Sequence, residues 1–429
     1  MGGAGANVMH YAVGYNFTNV TGMPIRFVGF PFPVAGQPRA VQRRYVRGND
    51  MLSGKPMMTA IIDALTKPLT ETEKYTGPAP TPKPEPRFLP PDTEENLRSY
   101  FKEKDWTDYN PIILPTEARV KAMLEGTSHE PDEVVAVLTW PGGKRIFTVE
   151  KAAVCAVMAG PKPEYFPLIL AVGSQVGSFG NSTSSMANII LVNGPIRNEL
   201  GMNYKGNAMG PHNEVNSVVG RVFTIMAKTA GNIHQGVTTF STLGSNLQYN
   251  NVCIAENEEA LPEGWKPYHV RMGFKPNDST VTVGRGWTYI SSVGEVQKAY
   301  PPQDLMRDYM RSLAGLGSAT VIMDPTVAKL LRDDYGMKTK DDLSKWLADN
   351  VEKTVDSFFG NGVVSTMYIP MARQGLQPFA DYLKMPGDKL IKPFNARGIN
   401  ILAVGGELQT TWFVTDFGLG RPVSVDKWR

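Results

Sequence analysis

Hydrophobic and polar positions follow two periods along this chain, one typical of helices and the other of buried strands. Apolar residues recur at helical spacing between residues 56 and 65, and residues 163–172 are apolar on nearly every side, which predicts a buried helix. Short apolar runs bounded by polar or glycine-rich loops predict buried strands. These runs are residues 24–30, 188–192, 252–255, 279–283, 318–323, 399–404 and 411–414.

Helix start and stop signals lie between these predicted strands. Thr148 is a suitable N-cap for a helix through Met158, and Asp324 followed by Pro325 predicts the start of another. Further helices are predicted over residues 115–124, 214–228, 326–335 and 340–351. Because strands alternate with helices, we expect an α/β fold with a mixed sheet core flanked by helices.

Prolines mark the best domain boundary. Seven of them fall between Gly77 and Asp92, which predicts an extended strap. The expected organisation is an extended N-terminal arm with a partial α/β unit, a proline-rich linker, and an α/β core whose division into two lobes stays open. The corresponding ranges are 1–77, 78–107 and 108–429, with lobes at 108–295 and 296–429.

Composition and charge narrow the function classes. The formal net charge of +3 is too small to indicate nucleic acid or an anionic membrane as partner. The sequence contains no run of about 18 apolar residues, so no transmembrane helix is expected. Two cysteines, Cys155 and Cys253, are too few for a disulfide framework, which favours a reducing, cytoplasmic compartment. Both are expected to be small core residues.

The first glycine-rich loop, residues 173–185, is a candidate ligand loop. Its glycines would let backbone N–H groups approach an anion, with Gly177, Ser178 and Asn181 as binding residues. It matches neither a Walker A motif nor a dinucleotide fingerprint. A plain tight loop is an equal alternative.

A second loop, residues 206–213, places His212 and Asn213 directly before a helix. Backbone donors at a helix N-terminus attract anions, and histidine exchanges protons near neutral pH. His212 is therefore a catalytic candidate and Asn213 a binding candidate, with helix capping as the alternative. A metal site would need His234 and His269 to approach His212, and it stays a minority hypothesis; the sequence names no cofactor.

Carboxylates after the strand at 252–255 form the third constellation. Ligands of α/β sheets bind at the carboxyl ends of strands, which favours Glu256 as a general base and Asn257 as a binding residue. A solvated acidic turn is the alternative. Glu150 is a second catalytic candidate, although stabilisation of a helix start explains it as well.

Three further sets of polar residues complete the candidates. Asn193 follows a predicted strand as a possible binding residue, and Arg221 is a possible anion contact or a surface bridge on its helix. Four arginines recur along a predicted helix, and they are Arg39, Arg43, Arg44 and Arg47. Their simplest interpretation is a solvated face, with a phosphate-binding patch as the alternative.

Several segments together resemble the UGSC-type (seleno)protein family. They are residues 148–154, 156–160, 163–167, 192–195, 219–221, 253–259, 278–283 and 403–406. The resemblance spans most of residues 110–429, and residues 24–72 resemble the stretch that lies directly after the family's namesake signature. That signature, selenocysteine or cysteine followed by Gly-Ser-Cys, is absent, and position 161 is proline where relatives often carry cysteine. The resemblance therefore implies that a second polypeptide supplies any reactive thiol.

Two functions are the resulting hypotheses. The first is an enzyme, or an enzyme subunit, that acts on a small polar or anionic molecule through the two glycine-rich loops, with lyase, hydrolase and redox chemistry all open. The second is a non-catalytic scaffold subunit of a hetero-oligomer whose partner carries the reactive thiol. Both hypotheses expect an oligomer.

Overall fold

The computed structural model describes most of the chain in separate ranges. They are residues 26–31, 34, 38–71, 73–74, 87–140, 143–175, 186–231, 233, 243–293, 300–407 and 411–429. The N-terminal arm up to residue 25 and most of the predicted proline strap lie outside them. The domain boundaries therefore stay a prediction.

Within these ranges, helices and strands alternate through the core. The α-helices are α1 (Arg39–Arg47), α2 (Met57–Thr66), α3 (Glu94–Glu103), α4 (Glu117–Leu124), α5 (Val149–Ala159), α6 (Phe166–Ser174), α7 (Ile196–Glu199), α8 (Glu214–Thr229), α9 (Tyr268–Arg271), α10 (Pro302–Met310), α11 (Pro325–Asp333), α12 (Lys340–Asn350), α13 (Val355–Gly360), α14 (Gly362–Arg373) and α15 (Phe379–Tyr382). The strands are β1 (Val134–Trp140), β2 (Gly143–Thr148), β3 (Ala187–Asn193), β4 (Val252–Ala255), β5 (Thr280–Gly286), β6 (Tyr289–Val293), β7 (Ala319–Met323), β8 (Lys353–Thr354), β9 (Leu390–Ile391), β10 (Ile399–Ala403), β11 (Thr411–Thr415), β12 (Gly418–Leu419) and β13 (Val423–Ser424).

Two mixed sheets form the core and share one pattern of strand directions. In the first sheet, β3 lies between its parallel neighbour β4 and its antiparallel neighbour β5, and β12 and β13 pair with β5. In the second sheet, β7 lies between its parallel neighbour β10 and its antiparallel neighbour β11, and β6 pairs with β11. The connections differ, because the outer strand β6 precedes β7 in the chain, whereas the outer strands β12 and β13 come after the other strands of their sheet.

The two sheets pack face to face between two layers of helices. On β3, Ile190 and Val192 join the buried cluster that includes residues of α5, α6 and α8. The alternate residues Ile189 and Leu191 join a second cluster with Ile322 of β7 and Leu402 of β10. On the far side, β7, β10 and β11 pack against α10, α11 and α12. The layer order is therefore helix, sheet, sheet, helix, which confirms the α/β fold with mixed sheets flanked by helices.

The sequence signals explain most of these elements. The Thr148 hydroxyl accepts a hydrogen bond from the N–H of Lys151, and Gly160 ends α5 in the left-handed conformation with φ 87°. Asp324 caps α11 by accepting from the N–H of Val327. The predicted strand at 24–30 is wrong for its described part: the Gly29 N–H donates to the Asp50 carboxylate at 2.6 Å, so its backbone bonds a loop rather than a strand.

Two outlying parts complete the architecture. Helices α13, α14 and α15 enclose a small core of their own around Phe358 and Tyr368. The C-terminus is held by the loop at 127–133, where Thr127 donates to the Trp428 carbonyl at 2.7 Å. No helix in the described part of the chain has the length and apolar character needed to cross a bilayer.

Candidate functional site

The carboxyl ends of the parallel strands from both sheets meet at one place. The Asn257 N–H, just beyond β4, donates to the Ala403 carbonyl at the end of β10, at 2.8 Å. The Asn257 Nδ2 donates to the Gly405 carbonyl, also at 2.8 Å. This edge is where open α/β sheets bind ligands. The segments following β3, β4, β7 and β10 therefore define the candidate site.

A buried ion pair lies beneath this edge. Glu256 and Lys340 form a salt bridge, and both side chains are fully buried. Glu256 also accepts from the Tyr268 N–H at 2.7 Å and from the Asn193 amide at 2.9 Å. Because Glu256 follows β4 and Lys340 begins α12, the pair links the first sheet to a helix that packs on the second.

Glu256 and Lys340 each shift the pKa of the other. Burial raises the pKa of Glu256, but the charge and hydrogen bond of Lys340, together with the hydrogen bonds from the Tyr268 N–H and the Asn193 amide, hold that pKa below its ordinary value. Burial lowers the pKa of Lys340, and the charge of Glu256 opposes that shift. Glu256 is therefore an ionised, fully enclosed carboxylate rather than a residue of a solvated acidic turn.

Arg197 organises the acidic run that follows Glu256. Its guanidinium, 3% exposed, donates to the Gly194 and Glu256 carbonyls at 2.9 and 2.6 Å. It also contacts both carboxylate oxygens of Glu259, at 3.1 and 3.0 Å, and lies 4.7 Å from the ring centroid of Tyr204. Burial raises the pKa of Glu259, but Arg197, a backbone N–H and the Asn198 amide together hold that pKa below its ordinary value.

The turn after β3 fits only a glycine at position 194. Gly194 has φ 85°, and a Cβ there would lie 2.2 Å from the Asp278 carbonyl oxygen. Its N–H donates to a carboxylate oxygen of Glu258 at 2.8 Å, and the Asn193 amide donates to the same oxygen at 2.9 Å. The glycine at position 194 therefore allows a turn in which its own N–H and the Asn193 amide both bind Glu258.

Some buried polar atoms of this region have no hydrogen-bond partner among the described residues. They are Asn193 Oδ1, Asn257 Oδ1 and His269 Nδ1. His269 Nδ1 lies 3.8 Å from Glu258, beyond hydrogen-bond distance. Unpaired buried polar groups are costly, and a bound ligand is one partner that could satisfy them.

A cleft of about 350 Å³ is lined by one of these residues, Asn257. Its polar lining comes from Lys205, Asn257, Glu259, Lys329, Gly406 and Glu407. Lys329 pairs with Glu407 at 2.9 Å, and Glu259 is held by Arg197. The Lys205 ammonium has no carboxylate partner among the described residues, so it is the cation of the cleft that a ligand would meet uncompensated.

Asparagines build the loop that carries Lys205. The Asn203 amide donates to Asn213 Oδ1 at 2.7 Å, and the Asn213 amide donates to the carbonyls of Asn207 and Gly210 at 2.6 and 2.9 Å. The amide groups of Asn213 are thus used inside the loop rather than facing the cleft. The residues just before the second glycine-rich loop reach the site, because the Gly405 N–H donates to the carbonyl of Tyr204 at 2.8 Å and Lys205 lines the cleft.

The other predicted site residues lie elsewhere. His212 is exposed, in the left-handed region with φ 77°, and no hydrogen bond joins its side chain to another described residue. Arg221 binds Asp108 at 2.8 Å and so attaches the segment near residue 108 to α8. Glu150 pairs with Arg87 at the start of α5. The structure therefore brings together Asn193, Glu256 and Asn257 of the predicted set.

Part of the prediction falls on residues that the structure does not describe. Gly177, Ser178, Asn181 and His234 lie outside the described residues. Within the described ranges, no group of three or more histidine, cysteine or acidic side chains is arranged to hold a metal ion.

Both cysteines lie in the core next to α8. Cys155 and Cys253 belong to the cluster on the helix side of the first sheet. Burial raises the pKa of Cys155 to about 11 and that of Cys253 to about 12. Because the thiolate is the reactive form, neither thiol is suited to nucleophilic or redox chemistry at neutral pH.

Sequence reasoning missed two central cations. Lys340 follows Thr339 at a helix start, a position where lysine is normally solvated. Arg197 follows the Gly194-Pro195 turn, whose carbonyl it binds. Its position three residues after a strand-ending Asn-Gly is the local signal that could have identified Arg197.

No protein-family model, curated protein or solved structure matches this chain. The resemblance to the UGSC-type family therefore stays a hypothesis.

Proposed function

We propose that this chain is an enzyme, or the larger subunit of one, that binds a small anionic molecule in the cleft at the carboxyl ends of β4 and β10. The observation that carries the proposal is the cleft itself. The Lys205 ammonium, which no carboxylate of the described residues neutralises, lines this cleft together with Asn257, whose buried Oδ1 has no hydrogen-bond partner among them. A cation and an unsatisfied amide oxygen in one cleft suit a ligand with an anionic group and a hydroxyl or amine donor.

The buried residues have a positioning role in this proposal. Glu256 and Lys340 are fully enclosed, so neither reaches a ligand in the cleft. Glu256 directly precedes Asn257 in the chain, and the Glu256 carboxylate accepts from the Ala403 N–H at 3.5 Å. The ion pair thereby holds the end of β4 against the end of β10 and keeps the Asn257 amide in place. Any proton donor or acceptor in the reaction would then be a group at the rim of the cleft.

Calorimetric titration of the purified chain tests the proposal. The probes are inorganic phosphate and a panel of small hydroxy- and amino-carboxylates. Lys205→Ala should weaken binding by about tenfold or more, since a hydrogen bond to a charged group is worth ~1.5–3 kcal/mol, whereas Lys205→Arg should keep much of it. Lys345→Ala is the matched control, because Lys345 is an exposed lysine of α12 paired with Asp349. Binding that Lys205→Ala leaves unchanged contradicts the proposal.

The cysteines favour the second candidate function, a scaffold subunit whose partner carries the reactive thiol. Both thiols of this chain are buried, and burial raises their pKa values. Co-expression with genomic neighbours, followed by the intact mass and metal content of the assembly, tests this candidate. A second polypeptide with a Cys-Gly-Ser-Cys-like segment supports it, and a homo-oligomer that binds the anion alone contradicts it.

A further inference from the structure

Helix α1 carries a row of arginines on its outer face. Arg39, Arg43 and Arg47 are each four residues apart, so they lie on one side of the helix about 6 Å from one another along its axis. With Gln42 and Val46 they line a groove of about 340 Å³. The helix has four arginines and no acidic residue, hence a charge of +4, against +3 for the whole chain.

The arginines of α1 have no carboxylate partner among the described residues. The acidic residues of the surrounding segment are all engaged elsewhere. Asp50 accepts from backbone N–H groups, Asp63 pairs with Lys55 and Lys67, Glu71 pairs with Lys74, and Glu73 pairs with Arg26. Among the described residues the row is therefore an array of guanidinium groups without carboxylate partners, and guanidinium groups suit bidentate contacts with carboxylates or phosphates.

An apolar stripe lies on the adjoining helix. Helix α2 follows α1 after a loop of residues 48–56, whose ends are joined by a hydrogen bond from the Met57 N–H to the Gly48 carbonyl at 2.8 Å. Met58, Ile62 and Leu65 recur at helical spacing and are 48%, 54% and 80% exposed. Since isolated exposed side chains are common but an aligned stripe is not, this stripe indicates a contact surface.

We propose that α1 and α2 form a docking surface for an acidic, amphipathic segment of a partner protein. Arginine and methionine beside apolar anchors is the composition of protein interfaces. A nucleic-acid surface would be more polar and more widely basic, whereas here the positive charge is confined to one helix. Carboxylates spaced by one turn on the partner would match Arg39, Arg43 and Arg47, and its apolar side chains would cover the stripe on α2.

Fluorescence anisotropy of the full chain with a labelled helical peptide tests the surface. The probe peptide carries glutamate at every fourth position and leucine between, and the comparison probes are a single-stranded RNA and vesicles with anionic lipid. Combined Arg39→Gln, Arg43→Gln and Arg47→Gln should weaken peptide binding by about tenfold or more, since each exposed pair contributes up to ~1 kcal/mol. Arg373→Gln is the matched control, an exposed arginine of α14 without a carboxylate partner among the described residues.

Two further variants separate the contributions. Ile62→Ser with Leu65→Ser should weaken binding while leaving its salt dependence intact. Replacing the three arginines by glutamate should abolish binding of the acidic peptide and create binding of the same peptide with lysine in place of glutamate. Absence of peptide binding at low salt, an unaffected triple variant, or tighter binding of RNA or vesicles than of the peptide would overturn the proposal. None of these three outcomes bears on the proposed anion cleft, because none of the substituted residues lines that cleft.

Discussion

Replacing Lys340 by methionine should destabilise the protein far more than an ordinary lysine replacement. The substitution keeps most of the side-chain volume but leaves the Glu256 carboxylate buried without its charge partner. Breaking a buried ion pair from one side typically costs ~3–5 kcal/mol of unfolding free energy. Because the Tyr268 N–H and the Asn193 amide still donate to Glu256, we expect the loss to lie near the lower end, ~3 kcal/mol.

The same helix supplies the control. Lys345 pairs with Asp349 at 2.5 Å, and their side chains are 73% and 50% exposed. Exposed pairs contribute ~0–1 kcal/mol, so Lys345→Met should change the unfolding free energy by less than about 1 kcal/mol. The double variant Lys340→Met with Glu256→Gln should recover part of the loss, because it removes the buried charge together with its partner.

The assay is urea unfolding of both variants between pH 5 and pH 8. In the wild-type protein the lowered pKa of Glu256 means that its contribution is present above the ordinary value of 4.5 and is lost as pH falls through the folded-state pKa. Without Lys340, burial dominates and raises the pKa of Glu256. The folded variant then binds a proton more readily than the unfolded chain, so the deficit caused by Lys340→Met should shrink as pH falls toward 5.

Two results would refute this reasoning about the ion pair. One is a loss for Lys340→Met no larger than that for Lys345→Met. The other is a deficit for Lys340→Met that does not change with pH, which would mean that Glu256 carries no isolated charge in the variant. Circular dichroism of each variant before unfolding separates these results from a misfolded chain.

Two further predictions concern the C-terminal contact and the thiols. His129 Nδ1 and Nε2 lie 2.8 Å from the Glu133 carboxylate and from the Lys427 carbonyl, and the hydrogen bond to Glu133 raises the pKa of His129 above its ordinary 6.5. The stabilisation that protonated His129 gives the folded protein is therefore complete below pH 6.5 and is lost as pH rises through the folded-state pKa. In thermal unfolding, His129→Gln should destabilise the protein more at pH 6 than at pH 9. Cys155 and Cys253 should react with a maleimide far more slowly in the native protein than in urea, and rapid native labelling of either thiol would contradict their burial.

Local sequence signals were sufficient for most of the core elements. Capping at Thr148 and Asp324, and short apolar runs ended by glycine or proline, set the ends of α5, α11, β3 and β10 to within a few residues. These signals act over one or two helical turns, so they are visible in the chain itself. The predicted strand at 24–30 failed in its described part because an apolar run alone does not supply a neighbouring strand.

The candidate site depended instead on pairings that no local pattern specifies. Glu256 and Asn257 were identifiable because they end a strand, but the cation that fixes Glu256 lies 84 positions further along the chain. His212 had the better local signal, a histidine before a helix, yet the asparagines of its loop turn that position outward and bring Lys205 to the cleft instead.

The buried ion pair also accounts for a difference between the two sheets, which share one pattern of strand directions. After β4 the chain continues with Glu256, whereas the equivalent position after β10 is Val404, which is buried and apolar. A carboxylate at both positions would place two like charges at the facing edge of the sheets with one lysine to neutralise them. The single Glu256–Lys340 pair avoids that repulsion and still holds the two strand ends together. The asymmetry therefore leaves the ends of β4 and β10 chemically different, which is what a cleft that orients a ligand requires.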